Sequence, residues 1–112
     1  MKLWIDDVRS APEGYYWCHS VNEAIEVIKE NEISAVFAKM SGKFDIMVEK
    51  WPTLIDIDHD AGEYVQYGGD YIKLLDWLEE TGRNYPIHIH SMNPVGVANM
   101  RAIIKRNGWK EV

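Results

Sequence analysis

Three short stretches hold most of the residues able to do acid–base or metal chemistry. The first is Asp6-Asp7, followed by Arg9. The second is Asp58-His59-Asp60. The third is His88-Ile89-His90-Ser91, which runs on into Asn93-Pro94-Val95-Gly96. Aspartates alone suit Mg²⁺ or another hard cation bound through oxygen. Aspartates joined by His59, His88 and His90 suit Mn²⁺, Zn²⁺ or Fe²⁺. A metal is not obligatory, because imidazoles that titrate near neutral pH can also serve as general acid and base on a phosphate ester.

The elements around these stretches decide whether they meet. Lys2 to Ile5 reads as a strand that runs into Asp6-Asp7, and Ala11 to Gly14 as loop. Ser20-Val21-Asn22-Glu23 is a capping box, and Ala24, Ile25, Val27 and Ile28 give the first helix an apolar stripe that ends near Asn31. Ile33 to Phe37 reads as a strand, Ser41-Gly42-Lys43 as a turn and Phe44 to Val48 as a returning strand, so 33–52 is expected to form a β-hairpin insertion. Thr53 to Asp58 is the next strand. Gly62 to Gly69 is a loop whose Tyr64 and Tyr67 either stack on a base or cover a site, or simply pack the loop.

Asp70 is placed to cap a second helix carrying Tyr71, Leu74, Leu75 and Leu78, which Gly82 ends. Pro86 opens a strand through His90. Asn93-Pro94 then starts a third helix with Val97, Met100, Ile103 and Ile104 on its buried face, and Trp109 to Val112 reads as a last short strand.

Strands alternating with helices imply right-handed βαβ units and a mainly parallel sheet, with ligands beyond the carboxyl ends of the strands. All three reactive stretches fall at such ends. By strand alternation His88 and His90 share a face, as do Asp56, Asp58 and Asp60. Asp56 is unusual in mid-strand, where a parallel sheet is normally apolar, and is expected to pair with a buried base or to mark an exposed part of the sheet. Near Val95 and Gly96 the first turn of the third helix offers backbone amides to an anion.

Composition narrows the field. A chain of 112 residues with 46% hydrophobic content, five tryptophans and six tyrosines makes one domain with a substantial core. The net charge of -6 disfavours a nucleic-acid duplex and is easier to reconcile with a small phosphorylated ligand. Cys18 is the single cysteine, so no internal disulfide forms, and it is expected to act as a small apolar residue. The apolar run Met1–Ile5 is too short for a signal peptide or a membrane span, so a cytoplasmic location without membrane contact is expected. Walker A, G-x-G-x-x-G, zinc-finger and G-x-S-x-G patterns are absent, as are the paired H-x-[ST] motifs of 2H phosphoesterases.

Asp6-Asp7-Val8-Arg9, Ile57-Asp58-His59-Asp60-Ala61-Gly62, Gly68-Gly69-Asp70-Tyr71, and His90-Ser91-Met92-Asn93-Pro94-Val95-Gly96 with Asn99-Met100 together resemble the cyclic-phosphate processing receiver-like domain family. The resemblance covers nearly the whole chain. It implies a receiver-like (flavodoxin-like) α/β fold, a three-layer sandwich with helices on both faces of a mainly parallel sheet. It implies a pocket lined by Asp6, Asp7, Asp58, His59, Asp60, His90, Ser91 and Asn93, with Asp58 at a receiver's phosphoacceptor position. Departures are the insertion at 33–52, Ala61 in place of leucine, and the missing Lys-Pro pair of a receiver's final strand, near which Lys110 stands.

The leading expectation is a phosphoesterase acting on a cyclic phosphate of a nucleotide or an RNA end. Asp6, Asp7, Asp58 and Asp60 would hold a divalent cation, Mg²⁺ or Mn²⁺ ahead of Zn²⁺. Asp58, His59 and His90 would be catalytic, and Arg9, Ser91, Asn93 and Gly96 would bind phosphate. One alternative is a non-catalytic sensor or sponge for a cyclic nucleotide. Another is a switch phosphorylated on Asp58. An oligomer is compatible with each.

Overall fold

Leu3, Ile5, Ile55, Ile57 and Ile87 are fully buried, while Lys2, Trp4 and His88 between them are wholly or partly exposed. That alternation sorts the sheet into a dry face and an open one. In the computed structural model, which describes residues 1–112, the strands are β1 (Lys2–Ile5), β2 (Tyr15–Cys18), β3 (Leu54–Ile57) and β4 (Ile87–Ile89). All pair in parallel, in the order β2-β1-β3-β4. The C-terminal segment adds only a bridge, Ile87 to Glu111, where a last strand was expected. The helices are α1 (Val21–Met40), α2 (Phe44–Lys50), α3 (Ile72–Glu80) and α4 (Pro94–Asn107). The α/β, receiver-like, parallel architecture is as expected.

One feature of the layering differs. Residues of α1, α3 and α4 join a single cluster with Leu3, Ile5, Ile55, Ile57 and Ile87. No helix residue packs in that core from the other face, where Trp4, Trp17, Asp56 and His88 lie in register. The cause is topological. The chain passes from β1 to β2 through the loop 6–14, without a helix. Every later crossover moves toward β4, so right-handedness puts all the crossover helices on one side.

The expected β-hairpin at 33–52 is a helical hairpin instead. No glycine or proline interrupts the chain between Asn31 and Ser41, so α1 continues for 20 residues to Met40. Asn31 does not stop it; its side-chain amide donates to Val27 O at 2.8 Å within the helix. Ile33, Val36, Phe37 and Met40 follow i, i+3, i+4, i+7 spacing, and this helical period overrides the strand preference of β-branched Ile33 and Val36. Strand β2 was not expected, although Tyr15-Tyr16-Trp17-Cys18 has the aromatic content strands favour. Burial pushes the Cys18 thiol up to about 12, as befits an inert packing residue.

The helix starts are well determined. Ser20 Oγ accepts from Glu23 N at 3.0 Å, while Glu23 reaches back one residue further than a standard box, to His19 N at 2.7 Å. Asn93 Oδ1 accepts from Gly96 N at 3.0 Å with Pro94 in the first turn, and Gly108 closes α4 at φ 66°. Asp70, expected to cap α3, instead accepts from Ala61 N at 3.0 Å. Tyr71 N donates to His59 O at 2.9 Å. These two bonds tie the loop after β3 to the start of α3 and fix the segment that carries Asp58 and His59. No helix is long and apolar enough to cross a membrane.

Candidate functional site

Ile5 and Ile57 are register partners on adjacent strands, so the residues after them leave the sheet side by side at its carboxyl edge. One carboxylate oxygen from each of Asp6, Asp7 and Asp58 lies within 4.8 Å of the others. The local backbone fixes them. Asp6 Oδ1 accepts from Val8 N at 2.9 Å and Arg9 N at 2.8 Å, an Asx-type turn that forces the chain over just past β1. Asp58 Oδ1 accepts from His59 N at 2.8 Å. Gly62, at φ 54°, lies so close to Asp7 that a Cβ there would collide with its carboxylate. The glycine is needed both for the backbone conformation and for the room it leaves.

Burial raises the Asp7 carboxyl above its ordinary value, and the charges of Asp6 and Asp58 add to the effect. Crowding of like charge is what a bound cation relieves. The donor set is all oxygen, which suits a hard divalent cation. The histidines lie outside it.

His90 sits immediately behind this group, just past β4. Its Nε2 meets Asp6 Oδ2 at 2.9 Å and its Nδ1 meets Asp56 Oδ1 at 2.6 Å. The ring stacks on Trp4 at 3.9 Å with planes 2° apart. Both ring nitrogens face carboxylates, an arrangement that favours the imidazolium, which carries hydrogen on both. Burial opposes that charge most strongly. The bonds and charges of Asp56 and Asp6 outweigh it and raise the His90 pKa. Asp6 follows the same logic in reverse: burial pushes its carboxyl up, and Arg9 N, Val8 N and His90 hold it below the usual range. The odd mid-strand aspartate therefore has its base, and the exposed sheet face supplies the indole that covers it.

His59 is placed differently. Its Nδ1 lies 2.8 Å from Asp60 Oδ1 and 3.5 Å from Asn93 Nδ2, and its Nε2 has no partner in the chain. Asn93 Nδ2 also reaches both Asp60 oxygens, at 3.3 and 3.4 Å. The ring lies against Gly96, where any Cβ would collide with it. Asp60 thus orients His59 and does not join the Asp6–Asp7–Asp58 group. Arg9 lies at the rim, with Nη1 3.3 Å from His90 O. Ser91 Oγ accepts from Asn93 N at 3.1 Å and keeps its own proton to donate. Of the two helix-start amides considered, that of Gly96 is taken up by Asn93, leaving Val95.

Other positions fall outside. His88 is exposed and meets Val112 O at 2.7 Å, away from the carboxylates, although it shares the face of Asp56. Lys110 is exposed, and its backbone carbonyl accepts from Ile87 N. Beside the site runs an aromatic row that the sequence did not single out as a unit. Trp17 stacks on His19 at 4.3 Å, and His19 leads to Tyr64 and Tyr67. Trp17 Nε1 donates to Asp6 O at 2.8 Å, and Tyr71 donates to His19 O at 2.7 Å, fixing the row to the cluster. Trp4 was also missed as a site residue; its signal was alternation, which puts it beside Asp56.

A family model described as the cyclic-phosphate processing receiver domain matches residues 1–41 and 34–106. No curated protein and no solved structure matches the chain.

Proposed function

The chain belongs to the cyclic-phosphate processing receiver domain family, and from that premise we propose that it is a phosphoesterase that opens a cyclic phosphate of a nucleotide or an RNA end. The observation that carries this reading is the division of labour among the strand-end residues. Three carboxylates form an oxygen-lined group, while one imidazole beside them has a carboxylate on Nδ1 and a free Nε2.

Asp6, Asp7 and Asp58 would hold a divalent cation, Mg²⁺ or Mn²⁺. When bound, it would neutralise phosphate charge and lower the pKa of water. The remaining chemistry belongs to the chain. Water adds to phosphorus, one P–O bond of the ring breaks, and the departing ring oxygen takes a proton. His59 Nε2 is the group free to move that proton, with Asp60 fixing the tautomer through Nδ1. Arg9, the Ser91 hydroxyl and the Val95 amide are the donors available to phosphate oxygens at the rim. His90 acts as a positioning cation: both its nitrogens are engaged, so it holds Asp6 in place and does not shuttle protons. Asn93 and Gly96 act through His59, the first by hydrogen bonding and the second by leaving room for its ring. The Trp17–His19–Tyr64–Tyr67 row offers stacking surface to a base.

The test is incubation of the protein with 2′,3′- and 3′,5′-cyclic nucleotides in Mg²⁺ or Mn²⁺, with products identified by mass spectrometry. A ring-opened monoester is expected from the wild type. It should be lost in Asp58→Asn and reduced about 10²–10⁴-fold in His59→Gln. Intact ligand recovered at fixed stoichiometry would replace this reading with a binding module. Label from acetyl phosphate on Asp58 would replace it with a receiver switch.

A further inference from the structure

The large apolar side chains left exposed are unevenly spread. Eight of the fifteen lie between Ile33 and Trp51, a segment that contributes nothing to the main core cluster. The first turns of α1 pack on the sheet through Val21, Ala24 and Ile28. Beyond Asn31 the helix overhangs the sheet. Ala35 and Ala38 are buried where α2 folds back. Ile33, Val36, Phe37 and Met40 remain as a stripe, 51–77% exposed, which Phe44, Val48 and Trp51 extend at 40–61%. Cavities of ≈ 470 and ≈ 410 Å³ open beside the stripe, both lined by Val36 and Trp51. One chain thus carries both projecting apolar side chains and hollows to receive them.

At about half exposure each, the seven side chains of this stripe present on the order of 800 Å², which matches one partner's share of a standard interface and exceeds the largest patch on most monomers. Exposed charges of both signs flank the stripe. Glu26 and Glu30 precede it on α1 with Lys29 between them, Lys39 lies at its far end and Lys43 just past the helix, and Glu26, Glu30, Lys39 and Lys43 are exposed. None of the four is in an ion pair within the chain.

We propose that this face joins two copies of the chain about a two-fold axis, with α1 packed antiparallel against α1 of the second copy. Antiparallel pairing sets the glutamate end of each helix against the lysine end of the other, a self-complementary arrangement that a two-fold axis requires. Phe37 and Met40 of each copy enter the hollow beside Trp51 of the other. The face lies at the amino edge of the sheet, where the Met1 amine donates to Glu49 O and Trp51 O at 3.1 and 3.0 Å. The carboxylates stand at the opposite edge, so both sites stay open in the pair.

Sedimentation velocity of the full chain tests this. The expected mass is twice 13.0 kDa. Phe37→Asp should give a single chain with unchanged circular dichroism, since Phe37 packs in no core. Lys39→Glu should weaken pairing by roughly two- to fivefold for each of the symmetry-related ion pairs, and Glu30→Lys in the same chain should restore it. A mass of 13.0 kDa at all concentrations into the high micromolar range would overturn the proposal and leave the face to a different protein. A mass that keeps growing with concentration would overturn the two-fold arrangement. A Phe37→Asp protein that remains paired would overturn the choice of face.

Discussion

Replacing His90 with alanine is the sharpest test of how the carboxylate group is held. The ring bridges Asp6, which is fully buried, and Asp56, which is 6% exposed. Removing one partner from a buried ion pair typically destabilises by about 3–5 kcal/mol. The two aspartates do not share that loss equally. Asp6 keeps the backbone donors of Val8 and Arg9, whereas Asp56 has no other partner. The penalty therefore falls mainly on Asp56, and the expected loss is about 3 kcal/mol, or a fall in Tm of roughly 10–20 °C for a domain of this size.

Asp56→Ala in the same chain removes the orphaned charge, so the double variant should be more stable than the two single losses added together, by about 2 kcal/mol. The pH dependence has a definite sign. The His90 pKa is raised above 6.5, so its stabilisation is complete below that value and fades as pH rises through the folded one. The Asp6 pKa is lowered below 3.8, so its stabilisation is complete above that value and is lost as pH falls through the folded one. Urea unfolding followed by circular dichroism reads both effects. A loss under about 1 kcal/mol, simple additivity, or a wild-type advantage that grows in alkali would refute the charged clamp.

Two glycine substitutions separate the parts of the site. Gly62→Ala puts a methyl into the Asp7 carboxylate at a positive φ, so it should cost about 1–2 kcal/mol of stability and weaken divalent-cation binding in calorimetry by tenfold or more. Unchanged cation affinity would remove Asp7 from the ligand set. Gly96→Ala favours the helix by roughly 0.5–1 kcal/mol in propensity yet displaces the His59 ring, so turnover should fall at least tenfold while cation binding holds. Retained turnover would exclude His59 as the proton carrier.

Much of the architecture was legible because it rests on short-range chemistry. The Ser20 and Asn93 caps, the Gly82 and Gly108 stops and the aspartates after β1 and β3 are written in local residue types. Strand alternation marked Asp56 as out of place before its partner was known. What escaped depended on context. The 33–40 segment holds both strand-forming side chains and helical spacing, and only its docking against α2 decides between them. The open sheet face followed from a missing helix between β1 and β2, an absence easily overlooked when β2 itself is not expected. His90 looked like a proton carrier from its type and place; the two buried carboxylates that occupy both its nitrogens come from just past β1 and from within β3, distant in sequence.

The most direct measurement is ³¹P NMR of a 2′,3′-cyclic nucleotide mixed with the protein and Mg²⁺ or Mn²⁺. The expected result is steady replacement of the cyclic-phosphate resonance by that of a monoester, abolished by chelator and by Asp58→Asn. A cyclic resonance that persists with either cation, for 2′,3′- and 3′,5′-rings alike, would contradict the assignment of phosphoesterase chemistry to Asp6, Asp7, Asp58 and His59.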